Sequence, residues 1–148
     1  MKLQRSDIER ITILLGVIQI LVGCVVGLFP PTFVPWFRGI VMAHIEFTAN
    51  GVLMIAFGFL VPRLNLSASL LKVWFVTLQI GTWTNGLAGL AGAFLGRSSQ
   101  LMPTINEKFP APHGADSAIV TILLQTCGVT VLLALVLTVY GLVASEKK

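Results

Sequence analysis

The stretch "GIVMAHIEFTANGVLMIAFGFLV", residues 39–61, decides the fold. Apart from His44 and Glu46 it carries no ionisable side chain. A run of this length supplies the ~20 largely apolar residues that a helix needs to cross ~30 Å of hydrocarbon. Three further runs flank it, and together they predict helices over 11–29, 39–61, 66–95 and 117–144, with Lys72 as the one charge of the third. Of the 148 residues, 55% are hydrophobic and 11% charged, a balance far to the apolar side of water-soluble domains. The expected fold is all-α: a single transmembrane domain over 1–148, built as an integral membrane four-helix bundle.

The net charge of +4 does not point to nucleic acid, because the basic residues sit at helix ends rather than on one patch. Their better use is topology. With four crossings, Lys2, Arg5, Arg10, Arg63, Lys72, Lys147 and Lys148 share a side against Arg38, Arg97 and Lys108, and the positive-inside rule then puts both termini in the cytoplasm of an inner membrane. The first run is expected to be a retained helix rather than a cleaved signal, since Phe29-Pro30-Pro31 is no small-residue cleavage site. Cys24 and Cys127 both fall inside apolar runs, where small packing residues are expected rather than a disulfide.

The links differ in kind. "PPTFVPWFR" stops the first helix with prolines and places Trp36 and Phe37 at the expected lipid headgroup boundary. "VPRLNLS" is tight, with Asn65 or Ser67 as the cap of the next helix. The third link, "GRSSQLMPTINEKFPAPHGADS", is long and irregular, which suits a lid over a site as well as it suits a flexible linker. In "NGLAGLAGAFLG" small residues recur four apart, as Ala88, Gly92, Gly96 and as Asn85, Gly89, Ala93; they allow close backbone approach, within one subunit or between two.

An ionisable residue within a bilayer costs a few kcal/mol, which makes it a site candidate. His44 and Glu46 lie roughly 7 to 10 Å inside the second helix by its rise per residue. At about 100° per residue, His44, Thr48 and Gly51 form one stripe and Glu46 and Asn50 an adjacent one, together a polar flank on which Gly51 leaves space for a flat group. His44 is either hydrogen-bonded to a neighbouring helix or a single axial ligand to haem iron, a role open to neutral imidazole. Zinc is poorly supported, because the second histidine, His113, stands in the long loop without partners at ligand spacing. "QIGTWTNG" adds Gln79, Thr82, Trp83, Thr84 and Asn85, which read as interhelical hydrogen bonding or as a pocket wall facing the second helix. Gln19 and Gln125 read as isolated packing residues. Phosphate loops, nucleophile elbows and paired-cysteine motifs are missing from the sequence.

"AHIEFTANGVLMIAFGFLVPRL", "GTWTNGLAGLAGAFLG" and "MPT" resemble the family of small membrane isomerases that includes hydroxylaminobenzene mutase and styrene oxide isomerase. The resemblance implies a four-helix subunit, a homotrimer and a haem b held between neighbouring subunits. On the "H-x-E-x-x-x-N-G" core it makes His44 the metal ligand and Asn50 an aid to the substrate. It also implies a departure: the epoxide isomerase uses a tyrosine and an aspartate where this chain has Gly89 and Gly81. The mutase pattern fits better, with Gly81, Thr82 and Asn85 matching.

The expected function is therefore a redox-neutral isomerase acting on a small aromatic substrate within membrane lipid. It would be a mutase turning an arylhydroxylamine into an aminophenol by Lewis-acid catalysis on ferric haem. Asn50, Asn85, Glu46 and Thr82 form the expected catalytic set, with the asparagines orienting the substrate and Glu46 moving a proton. The expected cofactor contacts are His44, Thr48, Gly51 and Trp83. An epoxide isomerase and a non-catalytic membrane cytochrome or sensor, with Met54 or Met102 as second ligand, are the alternatives.

Overall fold

A computed structural model describes residues 4–145. Lys2, Lys147 and Lys148 of the expected basic side lie outside the described residues. The chain forms helices α1 (Arg5–Gly27), α2 (Phe37–Leu60), α3 (Ala68–Leu95), α4 (Pro103–Lys108) and α5 (Ala118–Ser145), with single 3-10 turns at Pro31–Phe33 and Val61–Arg63. The long helices stand where the apolar runs predict them, but α1 begins six residues earlier. Hydropathy marks only the apolar part of a helix, whereas its true start is set by capping: the Asp7 carboxylate accepts the Gln4 amide at 3.0 Å. Ser67 is the cap of α3, accepting from the Leu70 amide at 3.3 Å. Gly96 ends α3 with a left-handed φ of 61°, a conformation that glycine adopts without steric cost.

Among the described residues, three helical segments are long and apolar enough to cross a membrane: Arg5–Gly27, Phe37–Arg63 and Ala118–Ala144. The chain is an integral membrane protein. Helix α3 has 28 residues and the length to span, but it is not in that apolar class. Lys72, Gln79, Thr82, Thr84 and Asn85 dilute its hydropathy, so of the four expected spans three stand as apolar membrane-length helices and the third carries a polar band.

The helices pack in chain order, α1 on α2, α2 on α3 and α5 on α3, with α1 reaching α3 at a few points. Helix α5 packs along α3 and touches the Val61–Arg63 turn. Close approach is set by glycine. A Cβ at Gly16 would lie 2.7 Å from the Gly51 carbonyl oxygen, and one at Gly39 2.6 Å from the Ala93 amide nitrogen, so both seams bring backbone against backbone. Gly89 packs on Ala43 and Gly92 on Trp36, which assigns these members of the small-residue series to contacts within one subunit.

Two apolar clusters fill the interior. One gathers Ile8, Met54, Phe57, Val61, Leu64, Leu71, Trp74 and Leu78, the other Val26, Val34, Ile40, Ala43, Phe47 and Ala93. Between them in chain order on α1, α2 and α3 lie the buried Gln19, Asn50 and Thr82 respectively. At the first cluster, the Arg5 guanidinium donates to the carbonyls of Val61, Leu64 and Leu66 at 2.7, 2.6 and 3.0 Å, which ties the start of α1 to the α2–α3 turn.

The long α3–α5 link is neither irregular nor open. It contains α4 and closes on itself through the Arg97–Asp116 ion pair at 2.6 Å and the antiparallel bridge between Ser99 and Asp116. Asn106 donates to the Ser99 carbonyl at 2.8 Å, and Trp36 donates its ring N–H to the Phe109 carbonyl at 3.2 Å. The Arg38 guanidinium sits 4.3 Å from the centre of the Phe109 ring. Trp36 is thus buried beneath this cap, which supplies the acceptor its indole needs. A cavity of about 400 Å³ lies between the cap and the start of α5, and none of the expected site residues lines it.

Candidate functional site

Helix α2 carries His44, Glu46, Thr48, Asn50 and Gly51 of the expected site, α3 carries Thr82, Trp83 and Asn85, and the neighbours of α2 sort its residues. His44 turns toward α1. Its Nδ1 lies 2.8 Å from the Gly23 carbonyl oxygen, which assigns the proton to Nδ1 and leaves Nε2 as a lone-pair donor. Nε2 makes no hydrogen bond among the described residues and is not among the buried unpartnered atoms, so it is open to a further partner. The half-buried ring rests against α1, where a Cβ at Gly27 would come within 2.7 Å of Nδ1.

Glu46 turns the other way, toward α3, and accepts a hydrogen bond from the Asn85 side-chain amide. The two residues differ by about 200° around the helix, and side chains that leave opposite sides of a cylinder ~10 Å across do not converge on one small molecule. The expectation of one continuous polar flank is therefore corrected: α1 takes the His44 side and α3 the Glu46 side.

Asn50 and Thr82 meet deeper. The Asn50 amide donates to the Thr82 carbonyl at 3.4 Å, while the Thr82 hydroxyl donates to the Leu78 carbonyl at 2.8 Å and receives the Gln19 amide at 3.3 Å. Gln19 is thus a packing residue as expected but not an isolated one: it links α1 to α3, fully buried, with its Oε1 unpartnered. Its signal in the sequence was depth: a lone amide midway along an apolar run needs a partner on another helix. Gln125, by contrast, is exposed.

The remaining expected contacts divide. Trp83 is half-buried and meets Phe47 edge to face at 5.8 Å. The Thr48 hydroxyl donates to the His44 carbonyl at 2.8 Å and lies against Gly23. The space expected beside Gly51 is filled by α1, since a Cβ there would lie 2.6 Å from the Gly16 carbonyl oxygen. Cys24, expected to be buried packing, is exposed, because it points away from the glycine face that α1 presents to α2. His113 is exposed in the cap with its Nδ1 3.0 Å from the Leu95 carbonyl.

Fold and site together define a helical integral membrane protein with one imidazole on its α1–α2 seam and an amide–carboxylate pair on its α2–α3 seam. The chain belongs to the styrene oxide isomerase family, whose model matches residues 8–143. It is 27% identical over 137 residues to hydroxylaminobenzene mutase HabB of Ectopseudomonas oleovorans, a match covering 93% of this chain and 82% of that protein. Family members are thus isomerases of two kinds. No solved structure matches the chain significantly.

Proposed function

We propose that the protein is a haem-dependent membrane mutase that rearranges an arylhydroxylamine to an aminophenol. His44 carries the reading. A histidine whose Nδ1–H is held by a backbone carbonyl and whose Nε2 is free is the arrangement by which proteins present neutral imidazole to a metal. The donor set fits one axial bond to haem b iron. Ferric haem held there by His44 would supply a Lewis acid for the substrate oxygen.

The chain's own groups manage position and protons. In the net rearrangement the hydroxyl oxygen leaves nitrogen for a ring carbon, that carbon loses a proton and nitrogen gains one, so no outside electrons are needed. Glu46 takes and returns the proton at its carboxylate, whose direction the Asn85 amide fixes. Asn50 orients the substrate with its Oδ1, since its amide N–H is already held on α3, and Thr82 holds that register. The apolar surround admits an uncharged aromatic and keeps bulk water from competing.

Packing favours the mutase over the epoxide isomerase. Gly89 and Gly81 stand where the resemblance calls for larger reactive side chains, and both are closed in: a Cβ would lie 2.7 Å from the Ala43 amide nitrogen and from the Thr130 hydroxyl respectively. We further infer a homotrimer with both termini cytoplasmic and α3 crossing the membrane between α2 and α5. Because His44 and the Glu46–Asn85 pair leave opposite sides of α2, a haem and substrate lying between neighbouring subunits would meet His44 from one and Glu46 with Asn85 from the next. The test is purification in detergent followed by incubation with phenylhydroxylamine and, separately, with styrene oxide. A Soret band together with aminophenol formation is expected; a haem-free preparation that still forms aminophenol overturns the reading.

A further inference from the structure

We propose that Gly23 and Gly27 of α1 are positioning residues that fix the tautomer and ring orientation of His44. The inference rests on His44 being the iron ligand of the proposed function. Two contacts carry it. The Gly23 carbonyl oxygen lies 2.8 Å from Nδ1, and it already belongs to the helix, so it offers its second lone pair to the imidazole. One turn further on, the ring lies flat against Gly27, where an added Cβ would stand 2.7 Å from Nδ1 and 3.2 Å from both Cε1 and Cγ. Contacts that short must shift something, and the ring is the group free to move. Gly23 serves a second purpose: a Cβ there would stand 2.6 Å from the Thr48 hydroxyl and 3.1 Å from the His44 carbonyl oxygen, so its absence sets the distance between the two helices at the ligand's own turn.

The consequence reaches the free nitrogen. An imidazole that donates from Nδ1 to a carbonyl presents Nε2 as the basic atom, in one direction, before any metal arrives. Loss of such an outer partner typically weakens metal affinity by roughly 10- to 100-fold. A methyl group at Gly27 pushes the ring off the Gly23 carbonyl and removes that preparation without touching the ligand itself.

The experiment uses the full chain in detergent, with 15N-labelled histidine and His113→Gln to leave a single imidazole. NMR of the haem-free protein is expected to give the Nδ1-protonated neutral tautomer. Gly27→Ala should populate the other tautomer and weaken titrated haem by roughly 10- to 100-fold. Gly128→Ala, where an added methyl meets nothing within 4 Å, should leave both readouts as they were. An Nε2-protonated His44 in the folded protein overturns the proposal, as does a Gly27→Ala protein with unchanged tautomer and affinity. Should Gly27→Ala not fold, the tautomer of the unsubstituted protein decides alone. A chain that takes up no haem but shows the Nδ1-protonated ring defeats the proposed function while upholding the geometry.

Discussion

The α1–α2 seam and the α2–α3 seam use the same central helix in different ways. Along α1, glycines bring the backbones together and the one titratable side chain, His44, is held by a carbonyl. Along α3, the contacts at comparable depth join side chain to side chain or side chain to backbone: Glu46 with Asn85, and Asn50 with Thr82. Both seams close on glycine, so the difference lies in their polar groups: a side chain held by a backbone carbonyl keeps its direction, whereas one held by another side chain stays adaptable. Under the proposed function a ligand calls for the first and acid–base chemistry for the second, and the two flanks of α2 face different neighbours.

The largest effect should come from removing the tip of the first seam. His44→Ala is expected to abolish both the Soret band and aminophenol formation, at least ~100-fold, as read by absorbance and product chromatography. Glu46→Gln keeps the shape and the Asn85 contact but not the proton, and should lower kcat by roughly 10²-fold with haem content retained; full turnover in this variant would remove Glu46 from the mechanism. Co-expression of the His44→Ala and Asn85→Ala chains sharpens the comparison. If the two seams act from neighbouring subunits, mixed assemblies should recover a measurable fraction of activity that neither variant has alone, and no recovery would place both groups within one chain.

Smaller effects concern stability. Thr82→Val leaves the buried Gln19 amide without its acceptor and should destabilise by about 0.6–1.7 kcal/mol, the range of interhelical hydrogen bonds measured in membranes, as read by unfolding in mixed micelles. Gln19→Leu should fall within about 1 kcal/mol of the parent, because it removes an unpartnered oxygen along with the hydrogen bond. A large loss there would mean that Gln19 Oε1 has a partner of its own.

Much of this was legible in the sequence. Apolar run length located the four long helices, and the cost of ionisable groups in lipid singled out His44 and Glu46 before any packing was known. Periodicity alone could not say which neighbour each stripe of α2 meets. His44 and Glu46 are fixed in angle by the helix, but whether α1 or α3 lies on a given side is decided by Gly16, Gly39, Gly51 and Gly89, whose partners are distant in the chain. The same blindness made Gly51 look like an open shelf when α1 covers it. The cap was hidden for another reason. Its order depends on Asn106, Asp116 and Phe109 meeting Ser99, Arg97 and Trp36, polar and aromatic pairings that leave no period to detect.

The Arg5 clasp bears on how the molecule is made. Its three acceptors lie 56 to 61 positions downstream, so the cation has nothing to hold while the first span is leaving the ribosome. Only when the turn at residues 61–66 has been synthesised can that end of the first span be latched. Assembly thus acquires an order: this latch can close only on a finished α1–α2 hairpin, to which the more polar helix α3 is then added.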